Sequence, residues 1–156
     1  MPSIYPALEA HMGKWTYYIA KMTLGDLAKE VKLANEVHDD ATLQDAVQRV
    51  LKKSRSKIDM IQYLWRREDH FFNSIVVAAL GGEPTFTAVR LSDGPENAMF
   101  KAMKVDQSYG ALSFAGGEKY YALDGQHRLM AIRTLLDPHP TDPDDKVARE
   151  VPDEVR

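Results

Sequence analysis

The chain has 156 residues, a hydrophobic fraction of 44% and a formal net charge of −3 at pH 7. This length suits one domain with a buried core. No cysteine is present, which excludes a disulfide framework, a thiolate zinc site and catalysis by cysteine. No apolar segment reaches the roughly 18 residues that a membrane-spanning helix needs, and the N-terminus lacks a signal-peptide pattern. We therefore expect a cytoplasmic protein that does not contact a membrane.

The first half of the chain predicts one strand followed by three helices. Aromatic and β-branched residues over 15–22 are typical of a strand. Thr23, with an acidic residue three positions later, has the pattern of a helix N-cap, and it precedes apolar residues at helical spacing in 24–31. The same signals predict a second helix over 42–51 and a third over 58–66.

The second half predicts several strands and a final helix. The continuous apolar run at 74–80 indicates a buried strand, and 86–91 alternates like another strand. Residues 111–123 read as two strands joined by a turn, a β-hairpin, and 129–136 have a helical pattern. This order of elements predicts an α+β domain. The acidic, proline-rich end at 137–156 is predicted to be a loop or linker.

We place the α+β domain over residues 1–136. The segment 137–156 stops without a clear terminal element, which leaves open that it leads to a further C-terminal part.

Charge is distributed unevenly along the chain. Residues 41–70 contain seven Lys or Arg against four Asp or Glu, a net charge of +3, whereas residues 137–156 contain three against seven, a net charge of −4. Two helices that flank a short basic turn resemble the arrangement that contacts the DNA backbone in helix-turn-helix proteins. The alternative is a solvated basic surface. The residues predicted to contact DNA are Arg49, Lys52, Lys53, Arg55 and Lys57.

A polar corner lies between the last predicted strand and the last predicted helix. Its sequence, Asp124-Gly125-Gln126-His127-Arg128, combines four polar side chains with a glycine that lets the backbone approach a ligand. A strand that turns into a helix leaves free backbone N–H groups, which together with the helix dipole favour an anion. The alternative is a structural turn whose arginine pairs with a neighbouring carboxylate.

If the corner binds a phosphate, each residue has a role that suits its chemistry. Backbone N–H groups near Gly125 and the charge of Arg128 would hold the phosphate. Gln126 would orient it, and His127 would donate a hydrogen bond or transfer a proton. Asp124 would either hold a divalent metal ion beside a nucleotide or cap the helix. Asp124 and His127 are therefore the candidate catalytic residues, although the sequence contains neither a P-loop nor a serine-nucleophile pattern.

Aromatic residues raise a weaker alternative. Neighbouring aromatic pairs in strands suit base stacking, but alternation places at least one residue of each pair in the core. We therefore favour packing over nucleic-acid binding for Trp15, Tyr17, Tyr18, Tyr120 and Tyr121.

The five corner residues match the signature that names the DGQHR-domain proteins, and the chain resembles the DNA sulfur modification protein DndB group. Residues 17–20, 71–78 and 129–132 agree with this resemblance. More distantly, the chain is similar to the ParB/sulfiredoxin superfamily. The resemblance implies a ParB-like α+β fold, with a mixed sheet flanked by helices and Gly125–Arg128 in the place of the phosphate-binding loop.

The resemblance implies two functions. DndB-like members are DNA-binding regulators that repress the genes of DNA phosphorothioate modification and restriction systems. Other DGQHR proteins of modification or phage-defence systems are similar to nucleoside triphosphatases, which implies a nucleoside triphosphate with Mg²⁺ at the corner. We expect DNA, other proteins of the modification system and a second copy of the chain as partners. Whether a nucleotide is bound or hydrolysed stays open.

Overall fold

A computed structural model describes residues 2–33, 55–69, 71 and 73–137. The chain divides into two compact units. The first unit comprises Met1–Met22 and Leu80–Glu118, and the second comprises Thr23–Ala79 and Lys119–Arg156. The helix predicted over 42–51 and all but the first residue of the linker predicted over 137–156 lie outside the described residues.

Strands and helices both contribute to the described residues, which confirms the α+β class. The helices are α1 (Leu24–Glu30), α2 (Arg55–Arg66), α3 (Ala98–Ala102) and α4 (Gln126–Leu136), with short 3₁₀ helices at Pro95–Asn97 and Val105–Ser108. The strands are β1 (Ser3–Met12), β2 (Trp15–Ala20), β3 (Val31–Lys32), β4 (Val76–Leu80), β5 (Thr85–Ala88), β6 (Tyr109–Phe114) and β7 (Lys119–Asp124). Among these helices, none has the length and apolarity needed to cross a membrane.

The first unit is built on a four-stranded antiparallel sheet in the order β2-β1-β6-β5. One side of the sheet is packed: Tyr5 and Phe114 meet edge to face with ring centroids 6.2 Å apart. The rings of Tyr18 and Phe86, which lie on the two edge strands, have centroids 5.6 Å apart. Because two strands lie between them, the sheet must curl around this side. Gly110 helps the strands approach, since a Cβ there would collide with the backbone of β5.

The second unit combines a three-stranded sheet, β3-β7-β4, with the helices α1, α2 and α4. β3 runs parallel to the central strand β7. Apolar residues of α2 and α4 at helical spacing face each other and form the core of this unit. The buried members of the core are Ile61, Leu64, Ala131, Ile132 and Leu135.

The predicted N-cap of α1 is confirmed. The backbone N–H of Asp26 donates to Thr23 Oγ1 at 3.0 Å, and the N–H of Thr23 donates to Asp26 Oδ2 at 3.3 Å. This reciprocal capping box satisfies two N–H groups that the first helical turn would otherwise leave free.

The opposite end of α1 is held by an arginine from α4. Arg133 donates from Nε to the carbonyl of Ala28 at 3.1 Å and from Nη2 to the carbonyl of Val31 at 2.5 Å. The last carbonyls of a helix have no partner within the helix, so the guanidinium supplies donors where the backbone lacks them. Arg133 thereby ties α1 and the start of β3 to α4.

Two predictions about the strands are wrong. Residues 111–123 do not form a β-hairpin, because β6 belongs to the four-stranded sheet and β7 to the three-stranded one. The strand at 74–80 exists as β4, but it lies at an edge of its sheet. Val76 and Leu80 are accordingly about half exposed rather than buried.

The sequence reading also missed elements. β1 contains Pro6, which argues against a strand in sequence-based prediction. α3 spans only five residues, too few to show a helical period. The short basic turn predicted between the second and third helices is helical from Arg55 onward.

Candidate phosphate-binding corner

The predicted corner is present where β7 passes into α4. β7 ends at Asp124, Gly125 adopts the left-handed conformation with φ +83° and ψ 23°, and α4 begins at Gln126. The carbonyl of Gly125 accepts the first helical hydrogen bond, from the N–H of Leu129 at 2.9 Å. A left-handed residue lets the chain turn from strand to helix within one position, and glycine adopts it without steric cost.

The carboxylate of Asp124 is held on both sides. Its Oδ1 accepts from the N–H of Gly125 at 2.7 Å, and its Oδ2 lies 3.4 Å from Nη2 of Arg128. The ion pair joins residues four apart and is partly exposed, so its contribution to stability is small. Its main effect is on geometry, because it fixes the turn and orients the arginine.

Arg128 lies against the backbone of the turn. Its side chain is only 17% exposed, compared with 75% for Asp124. A Cβ placed on Gly125 would lie 2.9 Å from both Nε and Nη2 of Arg128 and 3.1 Å from Cγ1 of Ile75. Glycine is therefore needed at position 125 for a second reason: any side chain there would displace the guanidinium.

The N-terminus of α4 has no side-chain cap. The N–H groups of the first turn therefore have neither a helical partner nor a capping oxygen, and the positive end of the helix dipole lies with them. Gln126 is partly buried and His127 is exposed. Such an arrangement favours an anion and places Gln126 and His127 beside it.

The structure thus brings Asp124, Gly125 and Arg128 into one hydrogen-bonded group and places Gln126 and His127 in the adjoining helical turn. Arg128 pairs with the carboxylate of Asp124, as we expected if the corner is only a structural turn. It also leaves the first-turn N–H groups uncapped, as phosphate binding requires. The catalytic assignments of Asp124 and His127 stay predictions.

Asp124 was also the predicted metal ligand. In the described part of the chain, no group of three His, Cys, Asp or Glu side chains is placed to hold a metal ion. A divalent ion at Asp124 would therefore take its other ligands from water and from the phosphates of a nucleotide, as Mg²⁺ commonly does.

The residues predicted to contact DNA are only partly described. Arg49, Lys52 and Lys53 lie outside the described residues. Arg55 and Lys57 belong to the first turn of α2, where the backbone alone is described. The DNA-contact assignment stays a prediction.

The aromatic residues divide into two groups. Tyr120 and Tyr121 are both buried in β7, and Tyr18 is partly buried, in agreement with the packing that we favoured. Trp15 and Tyr17 are 66% and 44% exposed, so packing within this chain does not account for them. They lie on the opposite side of β2 from Tyr18, because successive strand residues alternate between faces.

Sequence reading missed Arg133. The signal was available, since Arg133 follows the buried Leu129 by four positions and must lie on the same face of α4. A charged residue on a buried helical face needs polar partners, and here two carbonyls of neighbouring elements supply them.

Comparison with protein families gives one clear finding. A family model described as "DndB: DNA-sulfur modification-associated" matches residues 5–150. The chain belongs to the DndB family. The match includes the whole polar corner, and it places the chain in the setting of DNA sulfur modification. Searches of curated proteins and of solved structures found no match. The similarity to the ParB/sulfiredoxin superfamily stays a prediction.

Proposed function

We propose that this chain is a DNA-binding regulatory module of a DNA sulfur modification system and represses transcription of the modification genes. The observation that carries the proposal is the DndB match over residues 5–150. The basic segment supports it: cationic side chains concentrated within a chain of net charge −3 suit a local contact with DNA rather than a general attraction to it.

The basic residues contribute affinity and little sequence selectivity. Lys and Arg that neutralise phosphates release condensed counterions, which makes the affinity depend strongly on salt. Phosphate contacts also fix the orientation of a protein on the duplex. Helix α2 begins within this segment, so its N-terminal turn would lie close to the DNA backbone.

Binding of a labelled duplex, followed by fluorescence anisotropy, tests this proposal. The triple variant Lys52→Ala, Lys53→Ala, Arg55→Ala removes three of the proposed phosphate contacts, and we expect at least a tenfold loss of affinity at low salt. A matched control, Lys21→Ala, Lys32→Ala, Lys119→Ala, removes the same charge from exposed positions elsewhere and should bind much more tightly than the first variant. Equal affinity of the two triple variants would show that the basic segment does not contact DNA.

A second function is favoured by the corner itself: binding of a nucleoside triphosphate with Mg²⁺. The observation that favours it is the position of Arg128, which is held by Asp124 beside an uncapped helix N-terminus. A guanidinium held in place and uncapped N–H groups in the same helical turn are the kinds of donor that a phosphate requires. Gln126 and His127 would add hydrogen bonds from the same turn.

The exposed carboxylate of Asp124 makes nucleotide binding at the corner depend on a metal ion. A carboxylate beside a phosphate repels it unless a cation lies between them. Arg128 compensates Asp124 on one side, and Mg²⁺ brought by the nucleotide would compensate it on the other. We therefore expect tight binding only when Mg²⁺ is present, and Asp124→Asn should weaken this dependence on Mg²⁺.

Isothermal calorimetry with ATP, CTP and GTP tests nucleotide binding. Loss of a charge-assisted contact costs about 1.5–3 kcal/mol, so Arg128→Ala should weaken the affinity by roughly 10- to 150-fold. Arg90→Ala, which removes an exposed arginine of the first unit, is the matched control and should leave the affinity unchanged. If Arg128→Ala binds nucleotide like the native chain, the corner is not the phosphate site.

Hydrolysis is tested separately, by release of inorganic phosphate. If the domain cleaves the nucleotide, His127→Ala should lose phosphate release while it keeps most of its nucleotide affinity, because a general acid or base acts on the reaction more than on binding. Binding without phosphate release in the native chain would identify a nucleotide-sensing domain rather than an enzyme.

A further inference from the structure

One face of the four-stranded sheet is apolar and exposed. The register places Met12 opposite Trp15 and Leu8 opposite both Ile19 and Tyr109, so these side chains share the side that faces away from the packed aromatic residues. Their exposed fractions range from 38% to 68%. We call this surface the outer face, and its large apolar residues are Ile4, Leu8, Met12, Trp15, Tyr17, Ile19 and Tyr109.

The outer face is larger than the apolar patches of ordinary monomers. At roughly 150–250 Å² for each large side chain, the exposed fractions leave on the order of 900 Å² of mostly apolar surface. The largest patch on a typical monomer measures about 300–600 Å². A stable protein–protein interface buries about 800 Å² on each partner, which this face supplies.

The charge of the outer face limits what can cover it. The residues between the apolar ones on β1 and β6 are Pro6, Ala10, Ala111 and Ser113, which are all uncharged. Two lysines lie at its margins: Lys14, in the turn between β1 and β2, is 5.5 Å from the Trp15 ring, and Lys21, just after β2, donates its backbone N–H to the carbonyl of Pro6 at 3.0 Å. Two lysines at the margins of an otherwise uncharged surface are too few to neutralise a phosphate backbone, so the exposed aromatic residues do not form a nucleic-acid platform.

We propose that the outer face is the interface of a homodimer, in which the β1–β2 hairpin of one copy packs on that of the second. An apolar surface with its lysines at the margins meets its own copy with little like-charge repulsion, and a two-fold axis lets both copies bury the same residues. Antiparallel sheets pack face to face in this way, with their strands crossing at about −30°. The pair Leu8–Ile19 lies at the centre of the contact, and the pair Met12–Trp15 lies beside the turn at one end.

Sedimentation equilibrium of the whole chain tests the dimer, with two variants of adjacent residues. Tyr17→Lys places a charge on the outer face, and the two-fold axis places it there twice. We expect its dimer dissociation constant to rise by about 100-fold or more relative to the native chain. Thr16→Lys adds the same charge one residue away, on the other side of β2, and should dimerise like the native chain.

Tryptophan emission gives a second measurement in solution. With Trp65→Phe, Trp15 becomes the single tryptophan. Its emission should move to shorter wavelength as the protein concentration rises through the dimer dissociation constant, because dimerisation removes the ring from water. Circular dichroism of each variant checks that the fold is retained.

Three results would overturn the proposal. The first is a native chain that stays monomeric at about 100 μM, where an interface of this area should be filled. The second is a dimer that Tyr17→Lys leaves intact or that Thr16→Lys weakens equally. The third is a monomer whose Trp15 emission responds to DNA or to lipid vesicles, which would assign the outer face to that ligand instead.

Discussion

Two isoleucines show how differently the two units use their apolar residues. Ile132 in α4 is completely buried among the residues of α2 and α4. Ile19 in β2 is 60% exposed on the outer face. The second unit packs α2 against α4 around its apolar core, and the polar group at 124–128 lies at the start of α4. The first unit covers one side of its sheet and leaves large apolar residues exposed on the other.

This difference separates two kinds of chemistry within one chain. In the second unit, the charged and hydrogen-bonding groups at 124–128 suit a phosphate-bearing ligand. In the first unit, the outer face has a large apolar area with its lysines at the margins, which suits assembly. Variants of one unit should therefore change ligand binding, and variants of the other should change the oligomeric state.

The largest expected effect comes from matched truncations of the two isoleucines. Ile132→Ala removes a fully buried side chain and should lower the free energy of unfolding by about 2–5 kcal/mol. Ile19→Ala should lower the free energy of unfolding of the monomer by less than about 0.5 kcal/mol, because the site is mostly exposed. Urea denaturation at a concentration where the chain is monomeric measures both. A large loss for Ile19→Ala would show that the chain itself covers the outer face.

Arg133→Ala tests how the second unit is held together. The substitution leaves the carbonyls of Ala28 and Val31 without their donor, and we expect a loss of about 1–3 kcal/mol in unfolding free energy. Arg90→Ala removes an exposed arginine from the first unit and should change stability much less. If the two variants unfold alike in urea, the guanidinium of Arg133 does not stabilise α1.

Gly125→Ala tests the geometry of the corner. Alanine at φ +83° is strained, and its Cβ would press on the guanidinium of Arg128, so we expect a loss of about 1–2 kcal/mol. Gly117→Ala is the matched control, because a Cβ there has no neighbour within 4 Å and its φ is not positive. Thermal unfolding compares the two. Equal melting temperatures would mean that position 125 does not need glycine.

The smallest effect concerns pH and the first unit. The backbone N–H of Glu118 itself, followed by those of Gly116 and Ala115, holds the pKa of the Glu118 carboxyl below its ordinary value. A lowered pKa means that the stabilisation is complete above the unfolded pKa of about 4.3 and is lost as pH falls through the folded pKa.

Glu118→Gln should remove this part of the dependence of stability on acid pH. Glu83→Gln, which removes another carboxylate of the same unit, is the control and should leave that dependence unchanged. NMR titration of the Glu118 carboxyl carbon gives the pKa directly. A midpoint at the ordinary glutamate value would contradict the hydrogen bonding at 115–118.

Local signals in the sequence predicted local structure well. The capping residues Thr23 and Asp26 located the start of α1, and the corner between β7 and α4 is where its polar residues and glycine placed it. Sheet membership was not predictable in the same way. Residues 111–123 have the pattern of a hairpin, yet the two strands pair with distant partners, and such long-range pairing leaves no mark in a short window.

The candidate site was predicted in composition but not in detail. The sequence was enough to name the five residues. The position of the Arg128 guanidinium against Gly125 depends on the left-handed turn and on Ile75, which comes just before β4. The outer face was misread for a related reason. Alternation along β2 predicts two faces, and only the structure shows that the face with Trp15 and Tyr17 stays uncovered.

The most direct test of the proposed regulatory role is the salt dependence of DNA binding by the native chain. If the five basic residues each neutralise one phosphate, log K should fall against log salt with a slope of about −4.5, roughly a 500-fold loss of affinity between 50 and 200 mM salt. Affinity that does not change with salt, or no binding at 50 mM, would contradict a DNA-binding role for this domain.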